Sequence, residues 1–291
     1  MSLPSYTKTT HTTTYPSISP LLPPLSTAHK TILITGGGSG IGSSIAHSFA
    51  ASGALCIALL GRTPSTLLST QQKIKSQYPL TTILTFVADI TDQNAVDKAF
   101  GVLRERFGGV DILVQNAAYF PDPEPIASSS IDEYFRGLEV NVKGNLIVTQ
   151  AFLRDRGEGD GEKVLIHVTT AGVHLSAMPV PMSAYVVSKI AGVKMMEYLA
   201  VEVKGKGVRV VSVHPGVHET GATEKATSAG LVMPFDDVQL PADFTVWAAS
   251  PEADFLHGKL VWASWDVDEL KAMKEEIISG PALTLGLNGW P

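Results

Sequence analysis

The sequence has a single cysteine, Cys56, so no disulfide can form within the chain, and its 291 residues must be held by an apolar core. Cys56 sits inside an apolar run and reads as a small buried hydrophobe in a reducing, cytoplasmic setting. Charged residues are also scarce, at 17%, and no block of one sign occurs. With a formal net charge of −6 and scattered lysines and arginines, the chain offers no footprint for a phosphate backbone, so nucleic acid is not expected as a partner. Nowhere do about 18 apolar residues run uninterrupted. Pro20, Pro23 and Pro24 break up the leucines near the start, so no membrane span is expected. That stretch has no basic start leading into a continuous apolar core, which argues against a secretory signal. No third ligand at metal-like spacing accompanies His214 and His218, which read as loop or cleft-lining residues, and no metal is expected.

What is present is a 44% apolar composition, enough for one large α/β domain over residues 30–291. Residues 1–29, rich in Ser, Thr and Pro, read as an arm: an irregular strap on the domain or on a partner subunit, with a disordered leader as the alternative. Residues 31–35 form a β-branched run without polar alternation, as in a parallel strand covered on both faces. A Gly-rich turn and a helix over 41–52 follow. Further strands are expected at 54–60, 82–88, 110–115, 163–168 and 208–214, and a last one near 255–263, with helix-length segments between. This alternation predicts a doubly wound parallel sheet of Rossmann type, whose ligands sit outside the carboxyl ends of the strands. The tail from about 264 shows no clear periodicity.

Two motifs on that rim carry chemistry. Thr35-Gly-Gly-Gly-Ser-Gly-Ile-Gly42 places glycines where a backbone must bend and approach a pyrophosphate, with the next helix aiming its N-terminal amides at the anion. Tyr185-Val-Val-Ser-Lys189 puts a phenol and an ammonium one helical turn apart on one face. A cation there would lower a phenol pKa from its reference of about 10 and make the Tyr an acid/base group.

Together these motifs resemble the short-chain dehydrogenase/reductase family, and the resemblance covers residues 30–263. It implies a nicotinamide cofactor held by Gly36, Gly38, Ser39, Gly40, Ile41 and Gly42. Asp89 and Ile90 would hold it after the third strand, and Asn116, Ala117 and Ala118 after the fourth, where Ala118 replaces the family's last glycine. Pro215, Gly216, Val217 and Thr220 would bound the nicotinamide side. Tyr185 is implied as the acid/base group, Lys189 as the residue that binds ribose and tunes the phenol, and Asn141 as the holder of a relay water. The family's Ser after strand five is missing; alignment puts Thr170 there, with Ser176 on a longer loop as the alternative. Residues 217–240 correspond to a substrate lid, in which Met233 and Phe235 read as ordinary packing.

The implied function is hydride transfer between the cofactor and a carbonyl or alcohol of a small organic substrate. A cofactor-binding enzyme of a non-redox step, such as a cyclase or isomerase, and a redox-silent NADP-binding regulator are the alternatives. NADP(H) is favoured over NAD(H), because the second strand ends at Leu60-Gly-Arg62 without a carboxylate for the ribose and Arg62 can pair with a 2′-phosphate. Ser39 takes the place where many NADP-preferring relatives carry a second basic residue. The resemblance further implies a homodimer or homotetramer. The segments Thr-Tyr-Pro-Ser-Ile-Ser-Pro20 and Val261-Trp-Ala-Ser-Trp-Asp266 are similar to a fungal subgroup, which suggests secondary or lipid metabolism.

Overall fold

The computed structural model describes residues 5–155 and 162–287; the last four residues of the Trp-containing tail and the first four of the arm lie outside them. Strand β1 (Thr31–Thr35) is buried at every position and leads into helix α1 (Gly40–Ala51). Then come β2 (Cys56–Gly61), α2 (Pro64–Gln77), β3 (Thr82–Val87), α3 (Gln93–Phe107) and β4 (Ile112–Gln115). Helix α4 (Ile131–Leu138) passes through a π-helical turn, Glu139–Gly144, into α5 (Asn145–Arg154). Beyond lie β5 (Lys163–Val168), α6 (Ser183–Glu202), β6 (Val208–His214), α7 (Gly221–Ser228), α8 (Gln239–Ala249), β7 (Lys259–Trp262), α9 (Val267–Ala272) and α10 (Lys274–Ser279).

The seven strands form one sheet in the order β3-β2-β1-β4-β5-β6-β7, parallel at every pairing. This is the doubly wound sheet that the alternation predicts. Alternate residues of β1 to β6 feed two cores, while Leu260, Val261 and Trp262 of β7 all enter one of them. Ile32 and Ile34 pack with α1 and α8, whereas Leu33 packs with α3, α5 and α6. Because β1 pairs with β2 on one side and β4 on the other, the winding reverses there and leaves a crevice at the carboxyl ends.

Several strand ends differ from the expectation: the second strand ends at Gly61 rather than residue 60, the third at Val87 rather than residue 88, and the fourth starts at Ile112 rather than residue 110. The second strand starts at Cys56 rather than residue 54, and the last is confined to Lys259–Trp262. The residues before that last strand, Pro251–Leu256, wind into a 3₁₀ segment instead, because Pro251 fits a first helical turn and the Ser250 hydroxyl caps it by accepting from the Glu252 amide at 3.2 Å. The tail, without periodicity to the eye, contains α9, whose first turn is capped by Asp266 through the amides of Asp268 and Glu269.

Residues 5–29 are packed against the C-terminal half. Ile18 and Leu25 are buried in the same core as α1 and α8. Tyr15 Oη donates to the Trp265 carbonyl at 3.1 Å and accepts from the Val267 amide at 3.0 Å, and Thr10 bridges Trp265. The Thr14 hydroxyl donates to Asp243 at 2.6 Å, a buried carboxylate that also accepts from Ser48 at 2.7 Å and Gln239 at 2.6 Å. A buried carboxylate survives only with such partners. Ile18→Ala should therefore cost about 2–5 kcal/mol, as for any core isoleucine. Urea denaturation should show it as a lower midpoint at unchanged slope, and a midpoint equal to wild type would refute it.

Candidate active site

The crevice is built on a tie between the carboxyl ends of β1 and β4. Asn116 Nδ2 donates to the carbonyls of Thr35 at 3.1 Å and Gly36 at 3.2 Å, while the Thr35 hydroxyl accepts from the amides of Asn116 at 3.1 Å and Ala117 at 3.0 Å. Gly42 lies directly on this tie: a Cβ there would stand 2.5 Å from Asn116 Nδ2 and closer still to the Gly36 carbonyl, so no side chain is tolerated. Helix α1 thus begins with free amides at the floor of a cleft of about 370 Å³. Its lining includes Gly36, Gly38, Ser39, Gly40 and Ile41 from the turn and Asn116, Ala117 and Ala118 from the loop after β4.

At one end of the cleft stand Arg62, Asp89 and Ile90. Arg62 is 63% exposed in its side chain and 3.9 Å from Asp89, so it remains available to a ligand. Burial opposes charge on Asp89, but hydrogen bonds from the Thr91 amide and hydroxyl, with the charges of Arg62 and Arg136, hold its carboxyl below the usual range. Thr63 and Thr66, which the sequence reading did not single out, line the same end at the start of α2; only their nearness to Arg62 could have flagged them.

At the other end lie Tyr185 and Lys189, both on α6. Lys189 is buried, and its Nζ donates to the Val168 carbonyl at 2.9 Å and lies 5.9 Å from the Tyr185 ring centroid. Burial pushes the Tyr185 phenol above its ordinary range and pulls Lys189 down to about 8. The expected lowering of the phenol by its neighbour is thus not what the cleft shows, because desolvation outweighs a cation that is turned towards a carbonyl. Phe120 packs on the phenol ring at 4.4 Å between centroids.

Asn141 does not line the cleft. It is fully buried in the π-helical turn, where its Oδ1 accepts from the Tyr119 amide at 2.7 Å and its Nδ2 donates to the Tyr119 carbonyl and to Ser188 Oγ, each at 2.8 Å. Ser188 in turn donates to the Tyr185 carbonyl at 2.6 Å. Its side chain is committed to joining the loop after β4 to α6, and its carbonyl accepts from Asn145 Nδ2 at 2.8 Å.

A second, apolar cavity of about 170 Å³ adjoins the first, and Tyr185, Thr169, Ile41, Pro215 and Thr220 line both. Thr170, Gly216 and Val217 line only the second, with Phe120, Leu175, Met178, Met182 and Met233 among its walls. Ser176 is exposed and lines neither. Met233 and Phe235, read as packing, do not enter the core: Met233 faces this cavity and Phe235 is 48% exposed, because their segment runs over the cleft mouth rather than under a helix. Thr169 Oγ1 is buried at the junction of the two cavities, with no partner among the described residues. His214 and His218 are buried cavity walls; burial and then the charges of His174 and His218 push His214 down to about 3. Among the described residues no three metal-binding side chains cluster, and no helix is long and apolar enough to cross a membrane.

A glycine floor that excludes side chains, amides at a helix start and an orphaned hydroxyl fit a dinucleotide in the larger cleft. The comparisons agree with that fit. A family profile described as short chain dehydrogenase matches residues 30–230. A short chain dehydrogenase/reductase of Claviceps purpurea (strain 20.1) is 40% identical over 296 residues, spanning 98% of this chain and 95% of that protein. One of Aspergillus novofumigatus (strain IBT 16806) is 35% identical over 265 residues, spanning 89% and 88%. Among solved structures, a short chain dehydrogenase of Burkholderia cenocepacia J2315 in complex with NADP superimposes with a TM-score of 0.70 at 25% identity, covering 83% of this chain and 99% of its own.

The buried Lys189 makes a pH prediction. A lysine whose native pKa of about 8 lies below its ordinary 10.5 costs stability while charged; its full contribution is present above the unfolded value and is lost as pH falls through about 8. Compared with Lys189→Met, wild type should therefore gain stability as pH rises from about 8 towards 10.5, by up to about 1.4 kcal/mol per pH unit, with no trend below that window. Paired denaturation curves across that range test this, and a difference independent of pH would refute it.

Proposed function

Because the chain belongs to the short-chain dehydrogenase family, whose chemistry is NAD(P)-dependent oxidation and reduction, we propose that it moves hydride between NADP(H) and a carbonyl or alcohol of a small, largely apolar organic molecule. One observation carries the reading: Tyr185 lines both cavities, with Lys189 on the side of the larger cleft and Thr170 on the side of the apolar one. The nicotinamide, when bound, supplies the hydride chemistry. Gly36, Gly38, Ser39, Gly40, Ile41, Asn116, Ala117 and Ala118 would hold its diphosphate and ribose region. Asp89 and Ile90 would hold the adenine end, and Pro215, Gly216, Val217 and Thr220 the nicotinamide side.

Tyr185 keeps its proton in this buried setting and gives it to the substrate oxygen in reduction, or takes one from the alcohol in the reverse direction. Thr170 donates a hydrogen bond to the same oxygen and fixes it against the phenol. Lys189, anchored on the Val168 carbonyl, orients ribose and refills the phenol with protons, and Asn141 holds α6 against the loop after β4 behind them. The presence of a Thr170 hydroxyl in the cavity supports redox chemistry over the cyclase reading, which rested on the missing Ser. Exposed Arg62, with no carboxylate at the end of β2, supports NADP(H) over NAD(H), as does the NADP bound by the Burkholderia relative. Leu146 on α5 and Ile190, Tyr198 and Val201 on α6 are exposed apolar side chains that support a homodimer or homotetramer.

Incubation with NADPH and a panel of apolar ketones, following cofactor absorbance and product mass together, tests the assignment. Tyr185→Phe should lose turnover at nearly unchanged cofactor affinity; undiminished turnover would end the mechanism. Thr170→Val should lose about 10² to 10³ in rate, while Thr170→Ser stays active and Ser176→Ala is neutral. The opposite pattern would transfer the role to the loop. For the cofactor, Arg62→Ala should weaken NADP(H) binding on the order of tenfold and leave NAD(H) binding unchanged; equal effects on both would remove the preference.

A further inference from the structure

We propose that Lys225 is a positioning residue of this reaction, which latches the lid helix α7 to the loop after β4 and so shuts the apolar cavity over an uncharged substrate. The inference rests on the reading of Tyr185 and of the apolar cavity given above. It starts from how little else fastens α7. The helix is capped by Thr220, whose hydroxyl accepts from the Thr223 amide at 3.3 Å, and the Thr223 hydroxyl donates to the His218 carbonyl at 2.6 Å. Among the described residues, every hydrogen bond of α7 stays between His218 and Leu231, apart from those of the Lys225 side chain. Of its described side chains only Ala226 is buried. A helix of eight residues is marginal on its own in water, so its place depends on what it touches.

Lys225 reaches out of that local set. Its Nζ lies 2.6 Å from Asp122 Oδ1, donates to the Phe120 carbonyl at 3.2 Å and stands 5.7 Å from the centroid of the Tyr119 ring. A carboxylate, a carbonyl and a ring face are each good partners for an ammonium, and here all three come from residues 119–122 on the opposite wall. That wall is itself fixed from behind. The Tyr119 amide donates to Asn141 Oδ1 at 2.7 Å, its carbonyl accepts from Asn141 Nδ2 at 2.8 Å, and its hydroxyl donates to Glu133 Oε1 at 2.5 Å. The loop is therefore the anchor and α7 the moving part.

The latch falls where the two walls of the apolar cavity face each other. Phe120 lines the cavity from the loop and packs on the Tyr185 phenol, and Ala226, next to Lys225 in the chain, lines it from α7. Leu231 and Met233 follow from the same segment. Docking Lys225 on the loop thus brings these apolar side chains over a substrate whose reacting oxygen lies at Tyr185 and Thr170. The link is reversible, because the Lys225 and Asp122 side chains are 41% and 64% exposed, where water competes for both charges and salt screens them. The contents of the closed cavity meet no free charge. The Lys225 ammonium is spent on the loop, Tyr185 and His214 are held neutral by burial, and both ring nitrogens of His218 are taken up by backbone carbonyls, at 3.0 and 2.7 Å. Such a cavity suits an uncharged molecule.

The test uses the full chain, an uncharged ketone from the panel, and NADPH kept saturating at each salt concentration. Lys225→Met keeps the stem without the charge, Asp122→Asn removes the ion pair but leaves the carbonyl and the ring, and Lys225→Arg restores a cation. In Lys225→Met, KM for the ketone should rise by roughly tenfold, as expected for the loss of an exposed ion pair and a hydrogen bond together, at unchanged NADPH affinity. Asp122→Asn should raise it by about threefold, and Lys225→Arg should stay near wild type. Salt separates a latch from a merely structural lysine. Wild-type KM should climb towards the Lys225→Met value between about 0.1 and 1 M sodium chloride, where the screening length falls from about 10 to 3 Å, although the ketone has no charge to screen. Lys225→Met should show no such climb. A second readout needs no turnover: amides 221–231 of the free protein should exchange hydrogen faster in Lys225→Met, and in wild type at high salt, than in wild type at low salt. Wild-type KM and exchange in Lys225→Met, or a salt effect that survives the substitution, would overturn the latch. An undiminished Tyr185→Phe would instead bring down the reading on which its role in the reaction rests, and hydrogen exchange would still decide the latch itself.

Discussion

Asn116 and Thr35 tie together the two strand ends where the winding reverses, and the cleft depends on that tie. A parallel sheet gives each strand end an identical environment except at the switch point, where neighbouring crossovers leave in opposite directions and the ends stay uncovered. There the Asn116 amide group closes over the carbonyls of Thr35 and Gly36, and the Thr35 hydroxyl receives the next two amides. With those backbone groups satisfied, the first amides of α1 remain free to face an anion. The intolerance of a side chain at Gly42 follows from the same packing, since α1 can start at this depth only if its first turn touches the tie.

Around that floor the molecule concentrates titratable groups whose charged forms are opposed by desolvation. Lys189 and His214 have both been pulled towards their neutral forms by burial, and Tyr185 has been held in its neutral form by the same cause. Of these, Lys189 costs free energy while it is charged, whereas the neutral Tyr185 and His214 cost little near neutral pH; the outcome is a phenol that retains its proton until a substrate oxygen arrives and an ammonium that titrates at about 8. Beneath them, the network of Gln115, Asn145, Thr149 and His167 is satisfied at every link except where it faces α6 and at Asn145 Oδ1. A half-open polar network inside a core is costly.

The apolar cavity is shaped by elements remote from one another in the chain. Phe120 from the loop after β4 packs on the phenol, Met178 and Met182 come from the segment before α6, and Met233 hangs from the stretch after α7. Methionines adapt to irregular shapes, so the walls select for apolar character more than for one outline. The arm contributes at a distance. By burying Ile18 and Leu25 and pairing Thr14 with Asp243, it fixes α8 against α1, the helix whose start forms the cleft floor.

The sequence by itself determined whatever depends on neighbours along the chain. Its alternation of apolar runs and helical periods dictated a parallel doubly wound sheet, the spacing in Thr35–Gly42 dictated a turn into a helix, and Tyr185 and Lys189 had to share a helix face at four residues' separation. These follow from the periods of the backbone, which no distant contact changes. Only the tertiary structure decided what depends on burial. It turned Lys189 to the Val168 carbonyl and so reversed the expected shift of the phenol, it brought Thr170 rather than Ser176 to the cavity, and it shortened the last strand where Pro251 and Ser250 start a 3₁₀ turn. It set Lys225, unremarkable within its helix, on the Phe120 carbonyl 105 residues earlier in the chain. Desolvation and hydrogen-bond satisfaction are set by which atoms surround a group in space, and that neighbourhood exists only once the chain has folded.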